Sequence, residues 1–333
     1  MAKAISMSNS QLNLSWKSVI FHNRTPFEVE VIGYLPEFLQ APIPENQDEE
    51  QGVKHPQQKI RACDTFIWGI KSLGEVTFKI KLLSSEESQE YQVDFILSQD
   101  CKNYQVIITE ENALYWDVRK RLGPDDPNGI KKVHVGCGPK NIFPDWWNVD
   151  IRSFQGIDTV MDVTKTWPFQ DIDFVYGEHF LEHLPLDGAI NFLVSSGNSL
   201  KLGGKIRLTT PNLAWVVDSH FPVNDAPTHA KVDGTFNINR AFHGWGHQFL
   251  YSQEFLEYLL SELGYEQIVC FDYGKSDTPA LTYLERHGKS RKKNNLSNLI
   301  IVEATRGTGK ISVPEQLAKQ IEVRFMRYYL GGH

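Results

Sequence analysis

Residues 131–183 read KKVHVGCGPKNIFPDWWNVDIRSFQGIDTVMDVTKTWPFQDIDFVYGEHFLEH, and four short apolar runs within them each end at a glycine or an acid. Val133–Val135 runs into Gly136-Cys137-Gly138, and Trp147–Val149 ends in Asp150, twelve positions after Gly138. Asp158–Met161 ends in Asp162, and Ile172–Tyr176 ends in Gly177-Glu178-His179. Short apolar runs bounded in this way predict buried strands. Arranged in parallel, they give a sheet with a polar carboxyl edge, where open α/β sheets bind their ligands. The glycine turn lets the backbone approach a ligand closely, because no Cβ stands in the way.

The ligand is narrowed by what the turn lacks. A dinucleotide fingerprint needs a third glycine, G-x-G-x-x-G, for close packing of helix on strand. Asn141 occupies that position, which disfavours a nicotinamide cofactor. An acid at the end of the second strand, Asp150, suits a ribose diol, since a carboxylate accepts from two hydroxyls. Asp162 at the end of the third strand could accept from an exocyclic adenine amine.

The order V-G-C-G-P, N-V-D, D-V-T and Y-G-E-H-F-L-E-H-L resembles the class I S-adenosylmethionine-dependent methyltransferases, and within them the small type 11 branch. Leu200–Asn212, LKLGGKIRLTTPN, is similar to that branch's helix end, glycine turn and fifth strand, with Leu202 and Asn212 in place of the common Pro and Asp. The resemblance runs over about residues 130–306. It implies an α/β fold, a Rossmann-like, doubly wound, seven-stranded methyltransferase sheet. It also implies S-adenosyl-L-methionine as cofactor, held by Gly136, Cys137, Gly138, Asp150, Ile151, Asp162, Val163 and Glu178.

The chain has 333 residues, 41% apolar and 23% charged, an ordinary globular composition long enough for about two domains. A net charge of −7 disfavours a nucleic-acid substrate held on a basic face. No apolar run reaches the ~20 residues of a membrane span and no signal-peptide pattern opens the chain. Cys63, Cys101, Cys137 and Cys270 have no paired spacing, so reduced thiols in a cytoplasmic protein are expected.

Residues 1–120 alternate differently. Phe27, Val29 and Val31, then Val76, Phe78, Ile80 and Leu82, then Tyr91, Val93, Phe95 and Leu97 follow a period of two. That pattern predicts six or so antiparallel strands in a small β-sandwich-like domain of unknown role. Residues 41–58 read as a long polar loop and residues 121–130 as a linker. The methyltransferase domain then occupies 131–306, with an acceptor-pocket or lid insertion at 214–252 containing a short helix and a polar run. Ser252 should cap a helix over residues 253–263 that stops at Gly264. Lys289–Asn295 reads as a solvated hairpin tip. The tail, 307–333, predicts a helix with an S-x-x-E box at Ser312 and one apolar face, Leu317, Ile321 and Phe325, docked on its own sheet or on a second copy.

Methyl transfer from a sulfonium is an in-line displacement that depends mainly on alignment, with a base where the acceptor is a hydroxyl. His179 stands beside the strand-four edge. His243 and His247 flank Gly-Trp-Gly in the insertion, where Trp245 offers an aromatic wall. His183 reads as structural. Metal ligation by the four-apart pairs His179/His183 and His243/His247 is weighed and not adopted, because two glycines break any helix between the second pair. The histidines favour O-methylation, and the resemblance implies a small molecule, natural product or peptide as acceptor, as in secondary metabolism. N-methylation and a non-catalytic cofactor-binding scaffold stand as alternatives.

Overall fold

The computed structural model describes residues 17–34, 57–62, 65–70, 74–83, 89–97, 103–108, 113–116, 131–139, 141–154, 156–220, 226–286, 292–294 and 296–329. The chain divides into two compact units, Met1–Arg119 and Lys120–His333.

In the first unit β1 (Lys17–Asn23), β2 (Glu28–Tyr34), β3 (Gln57–Ile60), β4 (Thr65–Ile70), β5 (Gly74–Leu83), β6 (Gln89–Leu97), β7 (Asn103–Ile108) and β8 (Ala113–Trp116) form two four-stranded sheets. Their orders are β4-β1-β7-β8 and β3-β2-β5-β6. The alternation does its expected work: Val29, Val31, Val76, Phe78, Ile80 and Leu82 are buried. Phe78 of one sheet meets Phe21 of the other edge-on at 5.0 Å and Trp68 at 5.6 Å, so the two inner faces share a core. One pairing departs from the antiparallel expectation. β1 runs parallel to β7, which is possible because several strands separate them in sequence and no hairpin sets their direction. Buried Asn23 closes the turn after β1, donating to the carbonyls of Phe27, Ile60 and Arg61 while accepting from Thr25. Of the expected 41–58 loop, residues 41–56 lie outside the described residues and Gln57 opens β3; the 121–130 linker lies outside them too. So does the side chain of Phe95.

The second unit holds β9 (Lys132–Val135), β10 (Trp147–Asp150), β11 (Thr159–Val160), β12 (Ile172–Glu178), α1 (Leu186–Ser199), β13 (Leu200–Pro211), α2 (Leu213–His220), α3 (Thr228–His243), α4 (Gln253–Leu263), β14 (Tyr265–Cys270), β15 (Lys292–Lys293), β16 (Leu296–Ser297), β17 (Leu299–Arg306) and α5 (Glu315–Ile321). Seven strands make one sheet, β11-β10-β9-β12-β13-β17-β14, in which β17 is antiparallel to both neighbours. Strands are added in both directions from β9, so the order reverses there. This is the Rossmann-like, seven-stranded sheet that the resemblance implies.

One face of the sheet, with Val133, Val135, Val175, Leu208 and Val302, packs on α1 and α4 and on Leu317 of α5, joined by Ile321 and Phe325. The tail's apolar face therefore docks on its own unit. On the opposite face the apolar cover comes from connecting segments: Phe143, Trp146, Leu281 and Leu284 close over Tyr176. The physical reason is length. Only residues 136–146 join β9 to β10, fewer than a helical crossover needs.

Both sequence-encoded boundaries of α4 behave as expected: Ser252 accepts from the Phe255 N–H at its start, and Gly264 ends it at φ +99°. The S-x-x-E box does not form. α5 begins at Glu315 behind Pro314, and no side chain caps it. β15 and β16 make the expected hairpin, while 287–291 lie outside the described residues. The insertion differs more: the polar run contains the sixteen-residue helix α3, starting after Pro227. Only Gly234 and Ala241 are buried along it, so it shows no apolar stripe to read. No helix among the described residues is long and apolar enough to cross a membrane.

Beneath the second face, wholly buried Arg207 bridges Glu285 (2.8 Å) and Glu303 (2.5 Å) and donates to the Lys275 carbonyl. Burial alone would favour a neutral guanidinium, but the two carboxylates keep it charged. Arg207→Met would strand two buried acids, and a loss of about 3–5 kcal/mol in the urea unfolding of the second unit is expected.

Candidate functional site

The carboxyl edge is built around the turn after β9. Gly136 and Gly138 both sit at positive φ, +61° and +60°. A Cβ on Gly136 would lie 2.3 Å from the Phe180 ring, so the segment after β12 packs directly on bare backbone. The Gly138 N–H donates to Asp150 Oδ2 at 3.0 Å, tying the turn to the end of β10. Asp150 is buried, and its Oδ1 accepts from the Arg152 N–H at 2.9 Å and from Arg152 Nε at 3.3 Å. A carboxylate offers about four acceptor sites, and the Arg152 side chain is 67% exposed. A diol can therefore displace the guanidinium without disturbing the backbone bonds. Beside it Ile151 presents an apolar side chain that is 68% exposed.

The other predicted cofactor residues divide. Asp162 accepts from both the backbone N–H and the hydroxyl of Thr164, bonds that hold its carboxyl below the usual range. Val163 is buried in the core, so only its main chain is available at the edge. Glu178 is buried with Oε1 accepting from the Arg286 N–H at 2.7 Å, and this carboxylate anchors the connecting segment over the second face. Burial, and then the Asp150 charge, push the Cys137 thiol up to about 12, which leaves it no thiolate chemistry.

Next to the turn the chain after β12 adopts an uncommon conformation. His179 lies at φ +45°, a left-handed backbone that costs about 1–3 kcal/mol and persists where surroundings enforce it. Its N–H donates to the Thr209 carbonyl, and its Nδ1 meets Glu182 Oε1 at 3.0 Å. Glu182 is completely buried, and its other oxygen accepts from the Thr210 hydroxyl at 3.0 Å. The Glu182 carbonyl accepts from Gln248 and Phe249, so the insertion is tied down on the same residue. A buried carboxylate holding Nδ1 fixes the orientation of this quarter-exposed imidazole.

His183 and His247 come together from distant segments, their ring centroids 5.0 Å apart and edge to face. His247 Nδ1 lies 2.7 Å from the Ala241 carbonyl, one of the unpaired acceptors at the end of α3. Burial first, then neighbouring imidazoles, lowers the pKa of His247 despite that bond and the Glu182 charge. His243 ends α3 exposed, and Trp245, 63% exposed, lies against His247 at 5.8 Å. The four-apart pairs weighed from the sequence are thus replaced by a cross pair, His183 with His247. Glu182 is not among the site residues expected from the sequence, where its one signal is a carboxylate inside the apolar run F-L-E-H-L.

No family model matches this sequence, and no curated protein matches it. Among solved structures the chain is similar to a SAM-dependent methyltransferase from Archaeoglobus fulgidus (15% identity, 53% of this chain and 86% of that one, TM-score 0.35). It is also similar to the CurJ carbon methyltransferase (14%, 57% and 51%, 0.33) and to a Haemonchus contortus phosphoethanolamine N-methyltransferase (13%, 54% and 49%, 0.36). The match thus spans about half the length of the last two. Likeness of this size identifies no activity.

Gly136→Ala meets both a positive φ and the Phe180 ring. A destabilisation of about 1–3 kcal/mol, read as a lowered urea midpoint of the second unit, is expected.

Proposed function

We propose that this chain is an S-adenosylmethionine-dependent methyltransferase that O-methylates a small molecule or peptide. The observation that carries it is one polar sheet edge holding two devices. A buried acid, Asp150, is held on a positive-φ glycine turn, and the strained His179 rests on buried Glu182 two strands away. Adjacent strands lie about 4.8 Å apart, so the two devices stand roughly 10 Å from each other along the edge.

The residues fit the cofactor. Asp150 would hold the ribose hydroxyls in place of Arg152, Ile151 would flank the base and Asp162 would accept from its amine, with the Gly136–Gly138 backbone leaving room beside them. When bound, S-adenosylmethionine supplies a methyl group on a sulfonium, electrophilic enough that the protein's part is alignment and proton removal. His179 takes the proton from an acceptor hydroxyl, and Glu182, held in turn by Thr210, stabilises the imidazolium that results. Wholly buried Glu182 is a positioning residue here and His179 the catalytic one. The insertion, with Trp245 and Phe236 exposed, supplies apolar walls for the acceptor.

Calorimetric titration of S-adenosylmethionine and S-adenosylhomocysteine tests the cofactor. Wild type is expected to bind with micromolar affinity and Asp150→Ala to lose binding; no binding by wild type would refute the proposal. His179→Asn is expected to keep the cofactor and to lower kcat about 10²–10⁴-fold on an acceptor found by screening hydroxylated small molecules. An unchanged kcat would remove the base from His179.

A further inference from the structure

Three ligand-bearing side chains converge beside the edge. Glu182, His183 and His247 each place one ligand atom so that all lie within 4.8 Å of one another. Glu182 and His183 follow β12, and His247 follows α3 after some sixty intervening residues, so the fold and not the local sequence brings them together. The His247 ring is already oriented. Its Nδ1 is engaged by the Ala241 carbonyl, which leaves Nε2 as the lone-pair nitrogen, the arrangement that fixes the rings of metal-bound histidines. His183 stands edge-on to it. Glu182 bonds His179 with one oxygen and Thr210 with the other, and each oxygen retains a further lone pair. A fully buried carboxylate facing imidazoles is a setting in which charges are paired or coordinate metals.

We infer that Glu182, His183 and His247 form a binding site for a divalent transition ion of the zinc class, with a fourth position open to water or a ligand. Two imidazoles and one carboxylate suit zinc and its neighbours; magnesium and calcium prefer all-oxygen sets. Metal–nitrogen bonds of ~2.0–2.1 Å place adjacent ligands of a tetrahedral ion ~3.4 Å apart, so side-chain adjustments of about 1 Å close the site. The ion clamps residues 244–249 of the insertion onto the end of β12, reinforcing the bonds from Gln248 and Phe249 to the Glu182 carbonyl. The site shares Glu182 with the proposed base, but the inference does not require methyl transfer.

The test uses the untagged full chain, stripped with a chelator. Titration with zinc chloride by calorimetry, and with Co²⁺ by visible absorption, should give one ion per chain at micromolar affinity or tighter. His183→Ala and His247→Ala should each weaken it by at least about 100-fold, while exposed His243→Ala leaves it unchanged. Asp150→Ala should retain the ion whether or not the cofactor binds, which separates this inference from the function proposed above. No stoichiometric binding by wild type, or equal binding by wild type and both variants, overturns it.

Discussion

The carboxylate of Glu182 is the constraint on which the edge depends. It is wholly buried and bonded by His179 from the strained turn after β12 and by Thr210 from the end of β13, while the backbone carbonyl of the same residue accepts from Gln248 and Phe249 of the insertion. Removing a carboxylate from water costs several kcal/mol unless its lone pairs are used. The neighbouring elements answer that requirement, and in doing so they are positioned. The left-handed backbone at His179 accompanies the contact of its ring with this residue three positions ahead.

On the other side of β9 the logic is backbone first. Glycines at positive φ let Phe180 press on one side of the turn while an amide anchors Asp150 on the other. The acid that would recognise a diol is thus oriented before any ligand arrives, and only an exposed arginine needs to move. Helices cover one face of the sheet and aromatic connections the other, with Arg207 and its two acids buried there.

Much of this was legible in the sequence where the signals are local. The strand ends at Gly136, Asp150 and Glu178, the cap at Ser252, the stop at Gly264 and the alternation of Val76 to Leu82 are set by neighbours in the chain. What escaped depends on contacts distant in sequence. α3 buries too little to show a period, Pro314 displaced the box at Ser312, and β1 chose a parallel partner more than eighty residues on. The meeting of two histidines is hidden for the same reason: spacing shows only partners along the chain, whereas His183 finds His247 across it. Glu178 at the strand end accepts from the Arg286 N–H on the far face, and Glu182, inside an apolar run, becomes the hub.

Amide hydrogen exchange of the full chain, with and without S-adenosylhomocysteine, tests the central claim most directly. The account predicts slowed exchange at Gly136–Gly138 and at residues 151–152, with smaller effects at 179–183, and no change in the first unit's strands. Saturating ligand with no protection at the turn after β9, or protection confined to another part of the chain, would contradict it.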